Sequence, residues 1–252
     1  MNSLEFTRFP QLDYAGAEAL NTLCTNLSFA GEDVHRIMMT SCQSSEGKSY
    51  ITMNMMRTFA GLGKRVVLVD ADLRRSMIAS RYGMQMYSDT NGQGLTHYLA
   101  GMCNMEDIVY STNIPGAFMV PVGRDVSNSL ALLTTNRLPM LLDMLSQSFD
   151  FVLVDAPPVG VIIDAAEISK YCDGTLLVVS YNRVRRRDVL EARRQIERAG
   201  CRVLGAVLNS VSFDSYSSKK YYNKSYYNSY YVSNYYQPDS AQKLQSGHDR
   251  KD

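Results

Sequence analysis

The sequence has few of the residues and segments that mark zinc-bound, disulfide-bonded or membrane-spanning proteins. Its three histidines, His35, His97 and His248, lack ligand spacing, so a zinc site is not expected. Its five cysteines are an odd number without metal-like spacing, which favours reduced thiols in a cytosolic protein. The N-terminus lacks the basic start and apolar run of a signal peptide. No run of about 18 apolar residues occurs, so we expect no membrane span.

The chain also lacks an excess of charge of either sign. It carries 26 basic and 25 acidic residues, for a formal net charge of +1. Such a balance does not favour binding to nucleic acid or to an anionic membrane surface. The length of 252 residues suits one globular domain with an appendage, and it is sufficient to bury a sizeable core.

Short apolar segments alternate along the chain with segments of helical periodicity, which predicts a parallel sheet covered by helices. The continuous apolar runs 66–69 and 151–154 are typical of strands that are buried on both faces. The predicted strands are 35–40, 65–69, 117–121, 151–154, 175–180 and 203–208. The predicted helices are 15–30, 48–62, 137–147, 164–171 and 187–199.

Three regions differ in composition. Residues 1–34 form an N-terminal helical segment that is a candidate for self-association, and residues 35–211 form the main domain. From residue 212 to residue 252 the sequence is polar and of low complexity, and it cannot bury a core. We therefore predict a disordered C-terminal tail.

Residues 42–49 nearly match the phosphate-loop pattern GxxxxGK[ST], although Cys42 replaces the first glycine. A predicted strand precedes this loop and a predicted helix follows it, as the pattern requires. The backbone N–H groups would hold phosphates, Lys48 would reach the β- and γ-phosphates, and Ser49 would bind Mg²⁺. The candidate nucleotide-binding residues of the loop are Cys42, Ser44, Ser45, Glu46, Gly47, Lys48, Ser49 and Tyr50. The sequence thus predicts an open, mostly parallel sheet of the P-loop NTPase type with helices on both faces, and ATP with Mg²⁺ as its ligands.

Carboxylates follow two of the apolar runs directly. Asp70 and Asp72 come after the first run, in the sequence Val-Asp-Ala-Asp-Leu-Arg-Arg, and Asp155 follows the second, in Val-Asp-Ala-Pro-Pro. The carboxyl ends of parallel strands face the crevice in which such sheets bind ligands. Asp155 resembles the aspartate that organises Mg²⁺ in P-loop proteins. These three carboxylates beside a phosphate loop indicate metal and nucleotide chemistry.

The tail is crowded with tyrosines, which could accept phosphoryl groups. A Tyr-rich segment can also be sticky low-complexity sequence without enzymology. Each phosphotyrosine would add roughly −1.5 to −2 charges, so modification of several would reverse the charge of the tail. The candidate acceptors are Tyr216, Tyr221, Tyr222, Tyr226, Tyr227, Tyr230, Tyr231, Tyr235 and Tyr236.

The loop and the two acidic motifs together resemble those of the bacterial tyrosine kinases, in the separate soluble form found in Gram-positive bacteria. The resemblance covers about residues 18–211 and continues into the tyrosine cluster. It implies a kinase that phosphorylates its own tail and regulates capsular or exopolysaccharide synthesis and export. It also implies a membrane-embedded activator or polysaccharide co-polymerase as partner, a cognate tyrosine phosphatase, and a cytoplasmic location at the inner face of the plasma membrane.

The resemblance also implies the roles of individual residues. Lys48, Asp70, Asp72 and Asp155 would be catalytic, and Ser49, Asp70 and Asp155 would hold the metal. Asp70 is in addition a candidate base for the incoming phenol, and which aspartate serves as the base stays open. Asn209 would recognise adenine.

Several positions depart from the pattern of the family. Asn21 and Cys24 stand where the family often has arginines that support ring assembly, three and six residues after Glu18. These positions lie near one helical face, and without the arginines the oligomeric state stays open. Ser45 stands where many phosphate loops carry glycine. Cys42 is interpreted as a tolerated small residue in preference to a redox sensor.

Two other functions remain as alternatives. A partition- or septum-type ATPase switch shares the phosphate-loop fold, but its signature lysine is absent because Gln43 stands at that position. A non-catalytic scaffold that binds nucleotide and presents its tail to a membrane partner is the second alternative, which the changes at Cys42, Ser45, Asn21 and Cys24 support. The basic run 183–187 is interpreted as a solvated helix start in preference to a docking site for an acidic partner.

Overall fold

The computed structural model describes residues 2–31, 33–88, 92–124, 126 and 128–211. The predicted disordered tail and its nine tyrosines lie outside these residues, and the described elements belong to one compact unit that ends at Asn209. The strands are β1 (Ser3–Phe6), β2 (Arg36–Ser41), β3 (Val66–Asp70), β4 (Met84–Tyr87), β5 (Tyr110–Thr112), β6 (Ala117–Val120), β7 (Phe151–Asp155), β8 (Gly174–Ser180) and β9 (Val203–Asn209). The helices are α1 (Tyr14–Ser28), α2 (Lys48–Gly61), α3 (Ile78–Tyr82), α4 (Leu95–Leu99), α5 (Ser129–Leu133), α6 (Arg137–Ser148), α7 (Asp164–Ser169) and α8 (Arg186–Arg198), with a 3₁₀ turn at Met105–Asp107.

The strands of the described residues form one sheet in the order β4-β1-β5-β6-β3-β7-β2-β8-β9. The six neighbouring strands β6-β3-β7-β2-β8-β9 all pair in parallel. At the other edge, β5 is antiparallel to β6, and β4 is antiparallel to β1. The predicted mostly parallel sheet is therefore confirmed. No helix in the described ranges is long and apolar enough to cross a bilayer.

Both faces of the sheet are covered. Successive side chains of a strand point to opposite faces, and in β3 Val67 and Val69 join one buried cluster while Val66 and Leu68 join the other. The first cluster includes residues of α6, and the second includes residues of α1 and α2. The continuous apolar runs of β3 and β7 arise because these central strands are buried on both sides.

The sequence analysis misses the strands at one edge of the sheet. β1, β4 and β5 are only three or four residues long. The pairing of β1 is long-range, since Ser3 pairs with Tyr87 and Leu4 pairs with Thr112. Strand β5 pairs on its other side with the neighbouring strand β6. A short strand whose partners are remote in sequence gives no local periodicity that could identify it. The segment 1–34 thus contributes a strand to the main sheet as well as the helix α1.

Helix α1 carries Glu18 and the two residues that depart from the family pattern, Asn21 and Cys24, and it directs them to different surroundings. Glu18 and Asn21 are exposed, and the Asn21 amide donates a 3.5 Å hydrogen bond to Glu18. Cys24 is fully buried, with its Sγ 4.0 Å from the backbone oxygen of Met55 in α2. Burial raises the pKa of the Cys24 thiol to about 12. The three residues therefore do not share one exposed face, and Cys24 serves as a core residue.

An arginine at position 24 should destabilise this chain. Cys24→Arg would place a charge between α1 and α2, and we expect a loss of about 2 kcal/mol or more of unfolding free energy. Asn21→Arg in the same helix is the matched control, since an exposed substitution changes stability by about 0.5 kcal/mol or less. Denaturant unfolding measures both variants, and equal stability of the two would contradict the burial of Cys24.

Candidate nucleotide and metal site

The candidate site lies where β2, β3 and β7 end. These strands are neighbours in the sheet, and Asp70 at the end of β3 is the register partner of Asp155 at the end of β7. The backbone N–H of Ala71 also donates to the backbone oxygen of Asp155 at 3.0 Å. Because the strands are parallel and in register, both carboxylates come to the same edge of the sheet as the phosphate loop that follows β2.

The phosphate loop runs from the end of β2 into α2, and Gly47 turns the chain into the helix. Gly47 has φ 89°, a backbone conformation that is strained for other residues, and a Cβ atom there would lie 2.1 Å from Nδ2 of Asn209, whose side chain would have to move. A Cβ atom on Gly160 would lie 2.3 Å from the backbone oxygen of Cys42, so this glycine lets the loop after β7 pack against the phosphate loop. No side chain caps the N-terminus of α2, which has 14 residues. Its first N–H groups are suited to bind an anion.

Lys48 joins the phosphate loop to the carboxylates. Its Nζ lies 3.1 Å from Asp72 and 3.4 Å from Asp155, and it donates to Ser49 Oγ at 3.3 Å. Although burial alone would lower it, the nearby charges of Asp155 and Asp72 raise the pKa of Lys48 above its ordinary value. Lys48 is therefore a buried, charged ammonium group beside the helix N-terminus, where it can contact phosphate oxygens.

Asp70 and Asp155 differ from ordinary carboxylates because both are almost fully buried. Burial, and next the charge of Asp155, raise the pKa of Asp70 to about 7. A hydrogen bond that Ser76 Oγ donates to Asp70 Oδ2 acts in the opposite direction and lowers this pKa. Burial also raises the pKa of Asp155, although Lys48 and Ser49 partly offset it. Thr52 Oγ1 donates to Asp155 Oδ1 at 3.3 Å. Within the described residues, Asp70 Oδ1 is buried without a hydrogen-bond partner.

The donor atoms at this edge fit Mg²⁺. The orphaned Oδ1 of Asp70 requires a partner, the Asp155 carboxylate lies beside it, and Ser49 supplies a hydroxyl at the start of α2. Such hard oxygen donors suit Mg²⁺, which takes one or two carboxylates and completes its shell with water and phosphate. Among the described residues, no group of three or more His, Cys, Asp or Glu side chains could hold a metal ion.

The remaining predicted residues brace the loop or lie at its surface. The buried Glu46 carboxylate accepts hydrogen bonds from the backbone N–H groups of Gln43 and, at 3.0 Å, of Ser180. Asn209 Nδ2 donates to the backbone oxygen of Glu46 at 2.9 Å. Its observed contact is thus with the loop, and adenine recognition stays a prediction. Ser44 and Ser45 are exposed and Tyr50 is half-buried.

Cys42 is buried at the start of the loop. Burial, followed by the charges of Glu46 and Asp188, raises the pKa of its thiol to about 12. A thiol of such pKa carries little thiolate at neutral pH, and the thiolate is the reactive form. This supports the interpretation of Cys42 as a tolerated small residue.

Sequence reasoning misses three residues that contact the site. Thr52, one helical turn after Lys48, binds Asp155, and Ser76, six residues after Asp70, binds that aspartate. Arg183, from the exposed basic run after β8, donates to the backbone oxygen of Ser45 at 3.4 Å. The spacing of four residues in a helix could have identified Thr52. For Ser76 and Arg183, the sequence gives no comparable signal.

Comparisons with known proteins agree with this geometry. Residues 37–225 match the family described as the CobQ/CobB/MinD/ParA nucleotide binding domain. The chain is 34% identical to the tyrosine-protein kinase CpsD of Streptococcus agalactiae serotype Ia, over 77% of this chain and 82% of that protein.

Two solved kinase domains are also similar. One is the BceF tyrosine kinase domain, with 32% identity, a TM-score of 0.70 and 78% of each chain covered. The other is the kinase domain of the Escherichia coli tyrosine kinase ETK, with 28% identity, a TM-score of 0.74 and coverage of 79% of this chain and 77% of that one.

The septum-site protein MinD of Pyrococcus horikoshii shares the fold. Its structure aligns with a TM-score of 0.59 at 24% identity over 69% of this chain. Identity at this level shows a common architecture only. The alternative of a partition- or septum-type ATPase switch is therefore not favoured over the kinases.

The buried Asp70 should destabilise the nucleotide-free protein above neutral pH. Its pKa is higher in the folded state than in the unfolded state, so the folded form binds this proton more tightly, and stability is lost as pH rises through about 7. We expect Asp70→Asn to raise the unfolding free energy by about 1–3 kcal/mol at pH 8 and by less at pH 5. Denaturant unfolding without metal or nucleotide measures this difference.

Asp72→Asn is the matched control and should have the opposite sign. It removes the closest carboxylate partner of the buried Lys48, so we expect lower stability at pH 8. Destabilisation by Asp70→Asn at pH 8 would contradict the raised pKa of Asp70.

Ser45 stores backbone strain, since it has φ 65° without being glycine. We expect Ser45→Gly to raise the unfolding free energy by about 0.5–1 kcal/mol, because relief of the strain exceeds the added entropy of the unfolded chain. Ser44→Gly, next to it and without positive φ, should lower stability slightly. Thermal unfolding compares the two variants, and a loss of stability with Ser45→Gly would refute the strain.

Proposed function

The chain belongs to the bacterial tyrosine kinases related to CpsD, within the CobQ/CobB/MinD/ParA nucleotide-binding family, and from this we propose that it is an ATP-dependent kinase that phosphorylates tyrosines of its own tail. The observation that carries the proposal is Lys48, held at the start of α2 between Asp72 and Asp155. Phosphoryl transfer depends chiefly on neutralising charge and aligning the reacting groups, and these residues supply both.

The binding roles follow from the contacts of each residue. The free N–H groups at the start of α2 and the ammonium group of Lys48 would bind the phosphates of ATP. Ser49, Asp70 and Asp155 would hold Mg²⁺, which when bound neutralises charge on the phosphates. Asn209 contacts the loop through the backbone oxygen of Glu46, and this contact supports the proposed adenine recognition.

The acceptor would be a tail tyrosine. A phenol with a pKa near 10 needs a group that takes its proton as the bond to phosphorus forms. Asp70 and Asp72 are the candidate bases. In the metal-free protein, burial, and next the charge of Asp155, raise the pKa of Asp70 to about 7, and bound Mg²⁺ would lower this pKa and keep the carboxylate ionised. Asp72 is held by Lys48 and by the backbone N–H of Arg75 at 3.2 Å, which fixes it beside the ammonium group proposed to bind phosphate.

The proposed setting follows that of the relatives. CpsD proteins of streptococci and a putative tyrosine kinase of the Klebsiella pneumoniae cps region are similar to this chain. We propose that the kinase regulates capsular or exopolysaccharide synthesis and export. Its partners would be a membrane-embedded activator or co-polymerase that holds it at the inner face of the plasma membrane, a cognate tyrosine phosphatase, and further copies of the chain.

The test is an anti-phosphotyrosine assay of the purified chain with Mg²⁺ and ATP, with and without the cytoplasmic segment of the activator. We expect a signal that maps to residues 216–236 and falls at least about 100-fold in Lys48→Met, since the variant lacks the charge that binds the transferred group. A chain lacking residues 213–252 should bind nucleotide but lose the signal.

Lys64→Met is the matched control, because Lys64 is an exposed lysine beyond the end of α2. It should retain the wild-type signal. Nucleotide binding without any tyrosine phosphorylation, even with the activator, would contradict the proposal and favour the non-catalytic scaffold.

A further inference from the structure

An ion pair between the exposed Arg74 and the buried Asp164, outside the contacts of Lys48, links the segments that follow the two strands with the candidate metal ligands. We propose that Arg74, Asp164 and Ser129, here called the loop latch, position the Asp70–Asp72 loop for binding of the metal–nucleotide complex. The residues are positioning residues, and their role rests on the proposed nucleotide site. The latch joins the loop after β3 to the starts of α5 and α7.

The geometry of the latch is specific. Arg74 presents Nε and Nη2 to the two oxygens of Asp164, at 3.0 and 3.4 Å. Ser129 Oγ donates a further hydrogen bond to the same carboxylate. The Asp164 side chain is 1% exposed, the Arg74 side chain is 39% exposed, and Ser129 is fully buried. Such a two-pronged contact fixes direction as well as distance, which a single charge contact does not.

Stability alone is a poor explanation for this arrangement. A buried carboxylate loses its hydration, and an ion pair often contributes less to stability than well-packed apolar residues would. A pair with a buried carboxylate is better suited to hold one conformation of a segment. Here that segment is the loop between β3 and α3, which follows Asp70 directly and includes Asp72.

The loop is fixed internally as well as by the latch. The backbone N–H of Arg75 donates to the Asp72 carboxylate, and Ser76 Oγ donates to Asp70. The backbone N–H of Val126 donates to the backbone oxygen of Leu73 at 3.4 Å, which ties the loop to the segment that leads into α5. Besides the contact of Asp72 with Lys48, the latch is therefore a second side-chain ion pair that anchors the loop.

The latch also couples the two acidic strand ends. Arg74 follows β3 and Asp164 follows β7, and these are the strands that present Asp70 and Asp155 as register partners. A metal ion shared by these two carboxylates depends on the distance between the loops. Residues that orient metal ligands typically change metal affinity by about 10–100-fold when they are replaced.

The experiment measures fluorescent ADP binding to the full chain with Mg²⁺ and in EDTA. The ratio of the two dissociation constants reports the contribution of the metal, independently of catalysis. We expect Arg74→Lys and Asp164→Asn each to reduce this ratio about 10-fold. The double variant should be no worse than either single variant, because both remove the same contact.

Arg75→Lys is the matched control in the same loop. Arg75 contributes its backbone N–H to Asp72, and its side chain is exposed, so the ratio should stay within about twofold of wild type. Ser129→Ala, which removes one hydrogen bond, should give an intermediate ratio and serves if the charged variants fold poorly. In the metal-free protein, hydrogen exchange of the Arg75 amide should be faster in Arg74→Lys than in wild type.

The proposal is overturned if the latch variants lower the melting temperature but leave the ratio unchanged. It is also overturned if Arg75→Lys reduces the ratio equally, or if Mg²⁺ does not strengthen ADP binding to wild type. A wild-type chain that binds ADP with Mg²⁺ but phosphorylates no tyrosine would contradict the kinase function alone.

Discussion

The contact of Lys48 with Asp72 and Asp155 is the interaction on which the rest of the site depends. It places one positive charge among three carboxylates at a buried edge of the sheet. The remaining negative charge is costly because the carboxylates are buried. Burial, and next the charge of Asp155, therefore raise the pKa of Asp70. A divalent cation and a polyphosphate would together balance these charges, so the electrostatics of the free protein favour its proposed ligands.

This arrangement requires a rigid frame, which the central strands provide. β3 and β7 are buried on both faces and pair in register, so Asp70 and Asp155 are adjacent because of backbone geometry. The phosphate loop is held from the other side by the end of β8, through Glu46 and Ser180, and by Asn209 at the end of β9. At the loop after β3, Arg74 and Asp164 supply the proposed anchor.

The sequence predicts the local features of the site well. The predicted strand and helix around Lys48, and the carboxylates that follow two apolar runs, depend on neighbouring residues and on one general rule for parallel sheets. Long-range features were not predictable in this way. The edge strands are short and pair with remote residues, and Arg74 contacts a carboxylate 90 positions away. Cys24 shows a further limit, since spacing places it near Glu18 but packing on α2 buries it.

The central claim is that Lys48, Ser49 and the strand-end aspartates form the metal–nucleotide site. Anomalous diffraction from crystals soaked with Mn²⁺ and ADP tests this most directly. The account predicts a manganese peak about 2.0–2.2 Å from Ser49 Oγ, with Asp70 and Asp155 bound to it directly or through water, and with Lys48 in contact with phosphate. ADP bound elsewhere, or manganese remote from these oxygens while Lys48 stays paired with Asp72 and Asp155, would contradict it.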